Sequence, residues 1–185
     1  MREKSPQTLS EADRRLVAFW AADCVERVLY IFEAVAPGDD RPRELIARTR
    51  AFARGELNTA EEIRRRFKGG ISANEIKDPA GRAAARAAGQ SVGICHMGAH
   101  ALGAAAYALE AIDLANPNHP EAAKAEMQWQ LDHMTPEVSQ ALRSLPKIGE
   151  NSSGPLGPGL LTTGRPGIFI QEIQTSLYRS NSTNS

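Results

Sequence analysis

The sequence predicts an all-α fold: a single helical bundle of about six helices around a long, alanine- and glycine-rich central helix, with an irregular C-terminal tail. Three observations support this prediction. Residues 80–116 are rich in alanine and contain no proline, although a proline lies on either side of them. Alanine loses no side-chain freedom in a helix. The flanking segments repeat apolar residues every three or four positions, the spacing of one helix face. Proline and glycine separate these segments.

Four glycines interrupt the central stretch, and in an exposed helix each would cost about 1 kcal/mol relative to alanine. They are Gly89, Gly93, Gly98 and Gly103. Ala85, Gly89 and Gly93 lie four positions apart, so they share one face of the predicted helix. A row of such small side chains predicts close approach by a neighbouring helix. We therefore expect the central helix to be buried in the core of the bundle.

The first helix is predicted over residues 11–36. Ser10 and Asp13 in the segment TLSEAD resemble a capping box, in which a side chain at the helix start accepts a backbone N–H. Apolar residues at threes and fours give this helix a buried stripe, and Pro37-Gly38 ends it. Shorter helices are predicted over residues 42–54, 60–68, 120–133 and 136–145.

Residues 9–145 are predicted to form one domain, because the composition changes at Pro146. The segment 146–167 contains four prolines and six glycines, too many for regular structure. We predict that residues 146–185 form a poorly packed tail, with a docking segment as the alternative. Within this tail, residues 167–178 are expected to form a short amphipathic helix in preference to a strand.

The charges exclude several broad classes of partner. The 22 basic and 22 acidic residues cancel, so no overall field favours nucleic acid or an anionic membrane. Residues 41–68 hold nine basic and four acidic residues, while residues 1–40 hold five basic and eight acidic ones. This asymmetry predicts two helix faces that attract each other, with a basic docking surface as the alternative. The short basic run 64–68 is by itself weak support for nucleic-acid binding.

A cytoplasmic protein without a membrane partner is expected. Cys24 and Cys95 are too few for a disulfide scaffold, and the first fifteen residues carry no apolar signal-peptide core. An uncharged run of roughly 23 residues follows Arg86, but its alanines, glycines and histidines gain little from lipid. The sequence also has no GxxxxGK[ST] phosphate loop, no GxGxxG fingerprint and no serine nucleophile elbow, so it matches none of those enzyme classes.

His96 and His100 are the sharpest candidates for a site. Two imidazoles four residues apart on a helix leave the same face and can share a metal ion. The intervening residues lack the glutamate of an HExxH zinc site, and a catalytic zinc needs a third ligand, which His133 or Glu26 would have to bring from another helix. The alternatives are an interaction surface or two packed, hydrogen-bonded histidines. We expect packed histidines and no cofactor.

Asp23, Glu26 and Arg27 lie in the middle of the first predicted helix, beside apolar positions. Paired carboxylates can perform acid–base chemistry. The expected role here is the solvated edge of a helix or half of an ion pair. Trp20 and Trp129 are expected in the core or at its rim.

A family resemblance rests on three segments: LSEADRRLVAFWAADCVERVLYIFEAV, PRELIARTRAFARGE, and AARAAGQSVGICHMGAHALGAAAYALEAI followed by a helix containing MQWQ. Together they are similar to the all-helical, immunity-five-like family of immunity proteins from bacterial polymorphic toxin systems. The resemblance covers residues 9–145, and its most specific part is the block 90–109. The chain after Pro146 does not match the family pattern.

This resemblance implies a non-enzymatic protein that binds a cognate toxin and protects the producing cell by occluding it. It brings no catalytic residues. An inhibitor of this kind needs a rigid surface with a few aromatic or arginine anchors. Candidates for such anchors are Arg50, Phe52, Arg54, Arg64 and Arg65. The balanced charge argues against a protein that mimics nucleic acid.

Two other functional hypotheses stay open beside this one. The first is a small metal-dependent helical enzyme that uses His96 and His100. The second is a structural or regulatory module that self-associates through its apolar faces. The sequence fixes neither the oligomeric state nor the identity of the toxin.

Overall fold

The computed structural model describes residues 5–65, 70–72, 75–159 and 161–179. Within these ranges the regular structure is helical and no β-strand occurs, which confirms the all-α prediction. The described helices outnumber the predicted ones, because two predicted helices are each divided in two. In chain order they are α1 (Glu11–Glu26), α2 (Leu29–Val35), α3 (Arg41–Ala53), α4 (Thr59–Arg65), α5 (Pro79–Gly93), α6 (His100–Ala115), α7 (Pro120–Asp132), α8 (Pro136–Arg143) and α9 (Arg165–Arg179).

Helix α6 is the buried centre of the bundle. Every residue from Ala101 to Leu109 is buried, and α6 packs against α1, α5, α7 and α9. Its most extensive contact is with α5, and most buried residues of both helices are alanines. Because the distance between two helix axes depends on the side chains at the contact, alanine lets these helices pack closely.

The single central helix predicted over residues 80–116 is wrong. The chain turns between Gly93 and His100, and the two halves fold back against each other as α5 and α6. The alanine-rich composition favours helix throughout, so it does not reveal the turn. The interaction that fixes the turn comes from a distant part of the chain.

The N-terminal segment fixes the turn between α5 and α6 through its backbone. The Gly98 N–H donates to the Thr8 carbonyl oxygen at 2.9 Å, and the Ala99 N–H donates to the Gln7 carbonyl oxygen at 3.0 Å. Amide groups at the start of a helix have no partner inside it. Ala99, the residue before α6, offers no side-chain cap. The backbone of residues 7–8 therefore satisfies amides at this end of α6.

The first predicted helix also divides in two. Ser10 caps α1 as expected, because its side-chain oxygen accepts the Asp13 N–H at 3.0 Å. The helix ends at Glu26, and α2 begins at Leu29 after Val28 adopts a non-helical conformation with φ −106° and ψ 0°. No proline or glycine marks this break, so composition does not predict it.

Gly89 does not belong to a packed row of small residues as predicted. It is exposed, and a Cβ atom there would meet nothing within 4 Å. Close approaches occur instead at two other glycines: a Cβ on Gly81 would overlap the Val35 side chain, and one on Gly98 would overlap the Leu9 side chain. These glycines let α2 and the N-terminal segment come close to the α5–α6 unit.

Helix α9 corrects the expectation of a poorly packed tail. Ile170, Ile173 and Leu177 are at most 3% exposed, and α9 packs against α6 and α8. These residues recur at threes and fours, so one face of the helix is apolar and is buried on the bundle. The helix expected over 167–178 is confirmed. The segment before it is irregular, as its proline and glycine content predicts, yet Leu156 within it is fully buried.

The remaining helices α3, α7 and α8 lie close to their predicted bounds. Helix α4 ends at Arg65, and the remainder of the helix predicted over 60–68 lies outside the described residues. Across the described residues, no helix has both the length and the apolar character needed to cross a lipid bilayer.

The attraction predicted between the acidic first segment and the basic second segment is observed. Arg50 of α3 pairs with Asp23 at 2.8 Å and with Glu26 at 2.5 Å, both on α1. Arg43 of α3 likewise pairs with Glu33 of α2. These ion pairs also confirm the expected role of Asp23 and Glu26 at the edge of α1.

The packing of α9 can be tested with two isoleucines of the same helix. Ile173→Ala is expected to lower the free energy of unfolding by about 2–5 kcal/mol, because it empties a fully buried site. Ile168→Ala is the matched control, since Ile168 is 56% exposed and should contribute less than about 0.5 kcal/mol. Chemical denaturation measures both values. Equal and small effects would contradict the observed packing of α9.

Two glycines of α5 are expected to respond to alanine in opposite directions. Gly89→Ala should stabilise the protein by about 0.5–1 kcal/mol, because alanine favours the helix and nothing lies near its Cβ. Gly93→Ala should destabilise it by about 1–3 kcal/mol, because the Cβ would lie 2.9 Å from ring atoms of His100. Thermal unfolding of both variants measures the difference, and a stabilised Gly93→Ala variant would contradict this contact.

Candidate functional site

The structure brings His96 and His100 together at the turn between α5 and α6. Their ring centroids lie 5.2 Å apart, and the ring planes are inclined at 41°. His96 belongs to the turn, whereas His100 begins α6, so the two residues do not share one continuous helix as predicted. Both side chains are half-buried.

Each imidazole is oriented by a hydrogen bond at its Nδ1 atom. Nδ1 of His96 donates to the Gly93 carbonyl oxygen at 2.8 Å, and Nδ1 of His100 donates to Oε1 of Gln90 at 2.7 Å. Because a carbonyl oxygen can only accept, the proton lies on Nδ1 in both rings.

Two glycines leave the space that this arrangement needs. A Cβ atom on Gly93 would lie 2.9 Å from the His100 ring, and one on Gly103 would lie 2.6 Å from Oε1 of Gln90. Gly93 ends α5 and Gly103 lies on α6. Gly93, which was predicted to admit a neighbouring helix, thus admits an imidazole ring, and Gly103 admits the amide that orients this ring.

A cavity of about 460 Å³ lies beside the two imidazoles. Its lining comes from two parts of the chain. The α5–α6 unit contributes Gln90, His96, Met97, His100 and Tyr107, and the irregular segment before α9 contributes Gly154, Pro155, Gly157, Gly159 and Leu161. The segment expected to be a loose tail therefore forms one wall of the candidate site.

Gln7 holds that wall in place. Its side chain is buried, donates from Nε2 to the Ser153 carbonyl oxygen at 2.7 Å, and accepts the Leu156 N–H at 2.9 Å. Its backbone carbonyl accepts the Ala99 N–H. One residue thus joins the N-terminal segment, the α5–α6 turn and the segment 153–161 around the cavity.

The third metal ligand considered from the sequence is not found among the residues named for it. The His133 ring stacks on Trp129, and Glu26 pairs with Arg50, so neither lines the cavity. In the part of the chain that the structure describes, no three His, Cys, Asp or Glu side chains gather as a metal-binding group. The metal-enzyme hypothesis therefore gains no third ligand of these types from the described residues.

Tyr107 and Gln90 are cavity residues that the sequence analysis did not single out. His100, Gly103 and Tyr107 lie at positions i, i+3 and i+7 on one face of α6, so their spacing carries a signal. Tyr107 is 3% exposed, and burial raises the pKa of its phenol. The Arg86 guanidinium, 5.8 Å from the Tyr107 ring centroid, opposes this rise with its positive charge.

The predicted partner residues fall into two environments. Phe52 is 2% exposed in the core, so it offers no anchor to a partner in this structure. Its place at the inward spacing of α3 explains its burial. Arg54 is exposed and pairs with Glu56 at 2.6 Å. Arg64 and Arg65 are exposed at the end of α4.

An aromatic and charged stack joins α1 to α7. The guanidinium carbon of Arg27 lies 3.9 Å from the Trp129 ring centroid, and the His133 ring stacks on the same indole at 3.8 Å and 22°. Two groups at these distances cannot share one face, so they cover opposite faces of the indole. Glu126 holds the guanidinium through two hydrogen bonds of 2.9 Å, and this interaction raises the pKa of Arg27.

Two aromatic side chains of the α1–α2 segment are exposed. Phe19 of α1 is 41% exposed and Tyr30 of α2 is 59% exposed. Phe19 lies one helical turn before Asp23, and Tyr30 lies three residues after Arg27 in the chain. We define the α1–α7 surface as Phe19, Asp23, Glu26, Arg27, Tyr30 and Trp129.

The two tryptophans lie in the core and at its rim, as expected from the sequence. Trp20 lies in the core, where its Nε1 donates to the Gln130 carbonyl oxygen at 2.8 Å, and Trp129 lies half-buried at the rim. Phe19 and Tyr30 were missed as surface residues. In the sequence, each of them is recognisable as a surface residue because it is an aromatic residue among charged neighbours, on the side of the helix opposite to the apolar stripe.

Glu110, on α6 near the cavity, gives a prediction about pH. Burial raises the pKa of its carboxyl, against the opposing positive charges of Arg86 and Arg165. A raised pKa in the folded state means that ionisation of Glu110 weakens folding as the pH rises. Glu110→Gln should therefore raise the melting temperature near pH 7, and the gain should shrink towards about pH 4. Melting curves across this range test the sign, and a gain that grows in acid would contradict it.

Similarity to known proteins identifies the family of this chain. No curated protein and no solved structure matches the chain. The model of the family described as "Imm-5 like putative immunity protein" matches residues 7–137, which is more than half of the chain. The matched range contains both histidines and the α1–α7 surface, and it confirms the resemblance. This chain therefore belongs to the Imm-5 like immunity protein family.

Proposed function

We propose that this protein is an immunity protein that binds a cognate bacterial toxin and neutralises it by non-catalytic association. We place this association in the cytoplasm of a cell that carries a polymorphic toxin system. Membership of the Imm-5 like family supports the proposal. The observation that carries it is the α1–α7 surface, which lies within the matched residues.

The composition of the α1–α7 surface suits a protein interface. Trp, Tyr and Arg provide most of the residues whose truncation strongly weakens protein–protein binding. Here the Arg27 guanidinium lies on the Trp129 ring, and Phe19 and Tyr30 are exposed aromatic residues of the adjoining α1–α2 segment. A shallow depression of about 240 Å³, lined by Asp23, Glu26, Arg27 and Trp129, offers a place for one side chain of a partner.

The anchors on this surface are already ordered. The Trp129 indole lies between Arg27 and His133, and Glu126 holds the Arg27 guanidinium with two hydrogen bonds. Side chains that are fixed before binding lose little conformational entropy when a partner docks. A preformed surface therefore favours the tight association that neutralisation of a toxin requires.

The charges on this surface are of both signs. Asp23 and Glu26 pair with Arg50, which was predicted to contact a partner and is 25% exposed. Such a patch selects its partner by complementary placement of charges more than by a strong overall field. We propose that the toxin presents an apolar anchor flanked by both a basic and an acidic group. Arg54, Arg64 and Arg65 remain proposed contacts at the α3 and α4 side of the same interface.

The proposal is tested by co-expression with the product of the neighbouring toxin gene, scored by growth and by the dissociation constant of the purified complex. The wild-type protein should restore growth and form a one-to-one complex. Tyr30→Ala should weaken binding by at least about tenfold, because it removes an exposed aromatic anchor.

Tyr178→Ala is the matched control, since Tyr178 is 40% exposed on α9, outside the residues matched by the family. It should change the dissociation constant by less than about twofold. Failure of the wild-type protein to bind the toxin or to restore growth would overturn the proposed function. Equal effects of the two tyrosine variants would overturn the assignment of the surface.

A further inference from the structure

We propose that the cavity beside the α5–α6 turn binds a small, uncharged organic molecule that has a flat apolar body and a carbonyl group. The carbonyl oxygen accepts hydrogen bonds from the donors that the Gln90 amide and the Tyr107 hydroxyl leave free. The apolar body lies against the remaining walls. This proposal does not depend on toxin binding. It rests on the two donors, their placement, the apolar walls and the charge of the lining.

The first donor is the Tyr107 hydroxyl. Tyr107 is 3% exposed and lines the cavity of about 460 Å³. Its hydroxyl makes no hydrogen bond to the described residues, yet its oxygen atom stays accessible to solvent. A buried phenol usually has a hydrogen-bond partner, because an unpaired hydroxyl costs free energy. A molecule in the cavity can supply the partner that the protein does not.

The second donor is the NH₂ group of the Gln90 side chain. Oε1 of Gln90 accepts from Nδ1 of His100 at 2.7 Å, which fixes the amide and leaves both hydrogens on its nitrogen. This nitrogen makes no hydrogen bond within the described part of the chain, and it also stays accessible. Gln90 lines the same cavity as Tyr107. Two donors without partners predict a ligand that brings an acceptor, and a carbonyl oxygen has two lone pairs.

The placement of the two donors follows from Gly103 of α6. A Cβ atom on Gly103 would lie 2.6 Å from Oε1 of Gln90, so the amide rests on this glycine. Tyr107 lies one helical turn after Gly103 on the same face of α6. Side chains on a helix lean towards its N-terminus, which directs Tyr107 towards Gly103. The amide and the phenol are therefore neighbours on one wall of the cavity.

The other walls of the cavity suit a flat apolar body. Met97 and Leu161 contribute apolar side chains, and Met97 can adapt to a ring because its thioether is flexible and polarisable. Gly154, Gly157 and Gly159 contribute no side chains, so the backbone itself forms this wall. The volume of the cavity falls within the range of about 300–1,000 Å³ that is usual for small-molecule sites.

The charge of the lining decides against an ionised ligand. The described lining contains no Lys, Arg, Asp or Glu side chain. An ionised group in the cavity would lose water without gaining an oppositely charged side chain of these types, which is costly. The ligand class is therefore an uncharged amide, ketone or ester with a flat apolar body.

The experiment titrates the full-length protein, labelled with ¹³C at the methionine methyl groups, with benzamide. Benzamide combines a flat ring, a carbonyl group and no charge. The titration is run at about pH 8, where imidazoles are ordinarily neutral. The ring should shift the Met97 methyl resonance in a saturable way, with a dissociation constant in the millimolar range that is usual for so small a ligand. Met127 and Met134 lie outside the cavity lining, so their resonances are internal controls.

A matched ligand and a matched pair of variants test the chemistry of the site. Benzoate has the shape of benzamide but carries a charge, so it should bind at least about tenfold more weakly. Tyr107→Phe should weaken benzamide binding by about 3–10-fold, because it removes a hydrogen-bond donor. Tyr178→Phe is the matched control, since Tyr178 lies on α9 outside the lining, and it should change the affinity by less than about twofold. Circular dichroism confirms that both variants are folded.

The proposal is overturned if benzamide leaves the Met97 methyl resonance of the wild-type protein unchanged, a result that does not depend on the folding of a variant. It is also overturned if the Met134 resonance shifts as strongly as that of Met97, if benzoate binds as tightly as benzamide, or if Tyr107→Phe binds benzamide as the wild type does. None of these measurements involves the toxin, so their failure is distinguishable from failure of the proposed function.

Discussion

The close packing of α5 on α6 is the constraint on which the rest of the structure depends. Most buried residues of both helices are alanines, whose small side chains cannot fill a wide gap, so the helices must lie near each other. The connection between them is correspondingly short, and it leaves the Gly98 and Ala99 amides in need of acceptors. The backbone of residues 7–8 supplies these acceptors, which brings this short segment to the α5–α6 turn.

The candidate cavity is a consequence of the same packing. Gln90 lies in the last turn of α5 and His100 is the first residue of α6, so the hairpin brings them to one side of the turn. Helix α9 packs on another side of α6. The segment that precedes α9 lies beside His96 and His100. Gln7 joins this segment to the turn by two side-chain hydrogen bonds. A chain region that looks irregular in sequence is thereby ordered by contacts with the helices.

Local signals predicted the helices, and contacts between distant residues explain what the sequence did not reveal. Ser10 caps α1 because its side chain and the following amides are neighbours, which is visible in the sequence. The end of α5 at Gly93 depends on hydrogen-bond acceptors that lie some 85 residues earlier in the chain. The alanine content of the helix gives no information about these distant acceptors. Phe52 shows the limit of composition for predicting a site: its aromatic side chain suggests an anchor for a partner, whereas its helical spacing predicts the burial that is observed.

The N-terminal segment also links the two candidate sites into one rigid frame. Leu9 has a φ of +62°, a left-handed conformation that costs a residue with a side chain about 1–2 kcal/mol. Its surroundings hold it there: its carbonyl accepts from the buried Arg14 at 3.0 Å, and its side chain lies against Gly98. The direction of α1 is therefore set by the same contacts that fix the α5–α6 turn. Because Phe19, Asp23 and Glu26 of the α1–α7 surface lie on α1, this half of the surface is formed before a partner arrives, and binding does not have to order it.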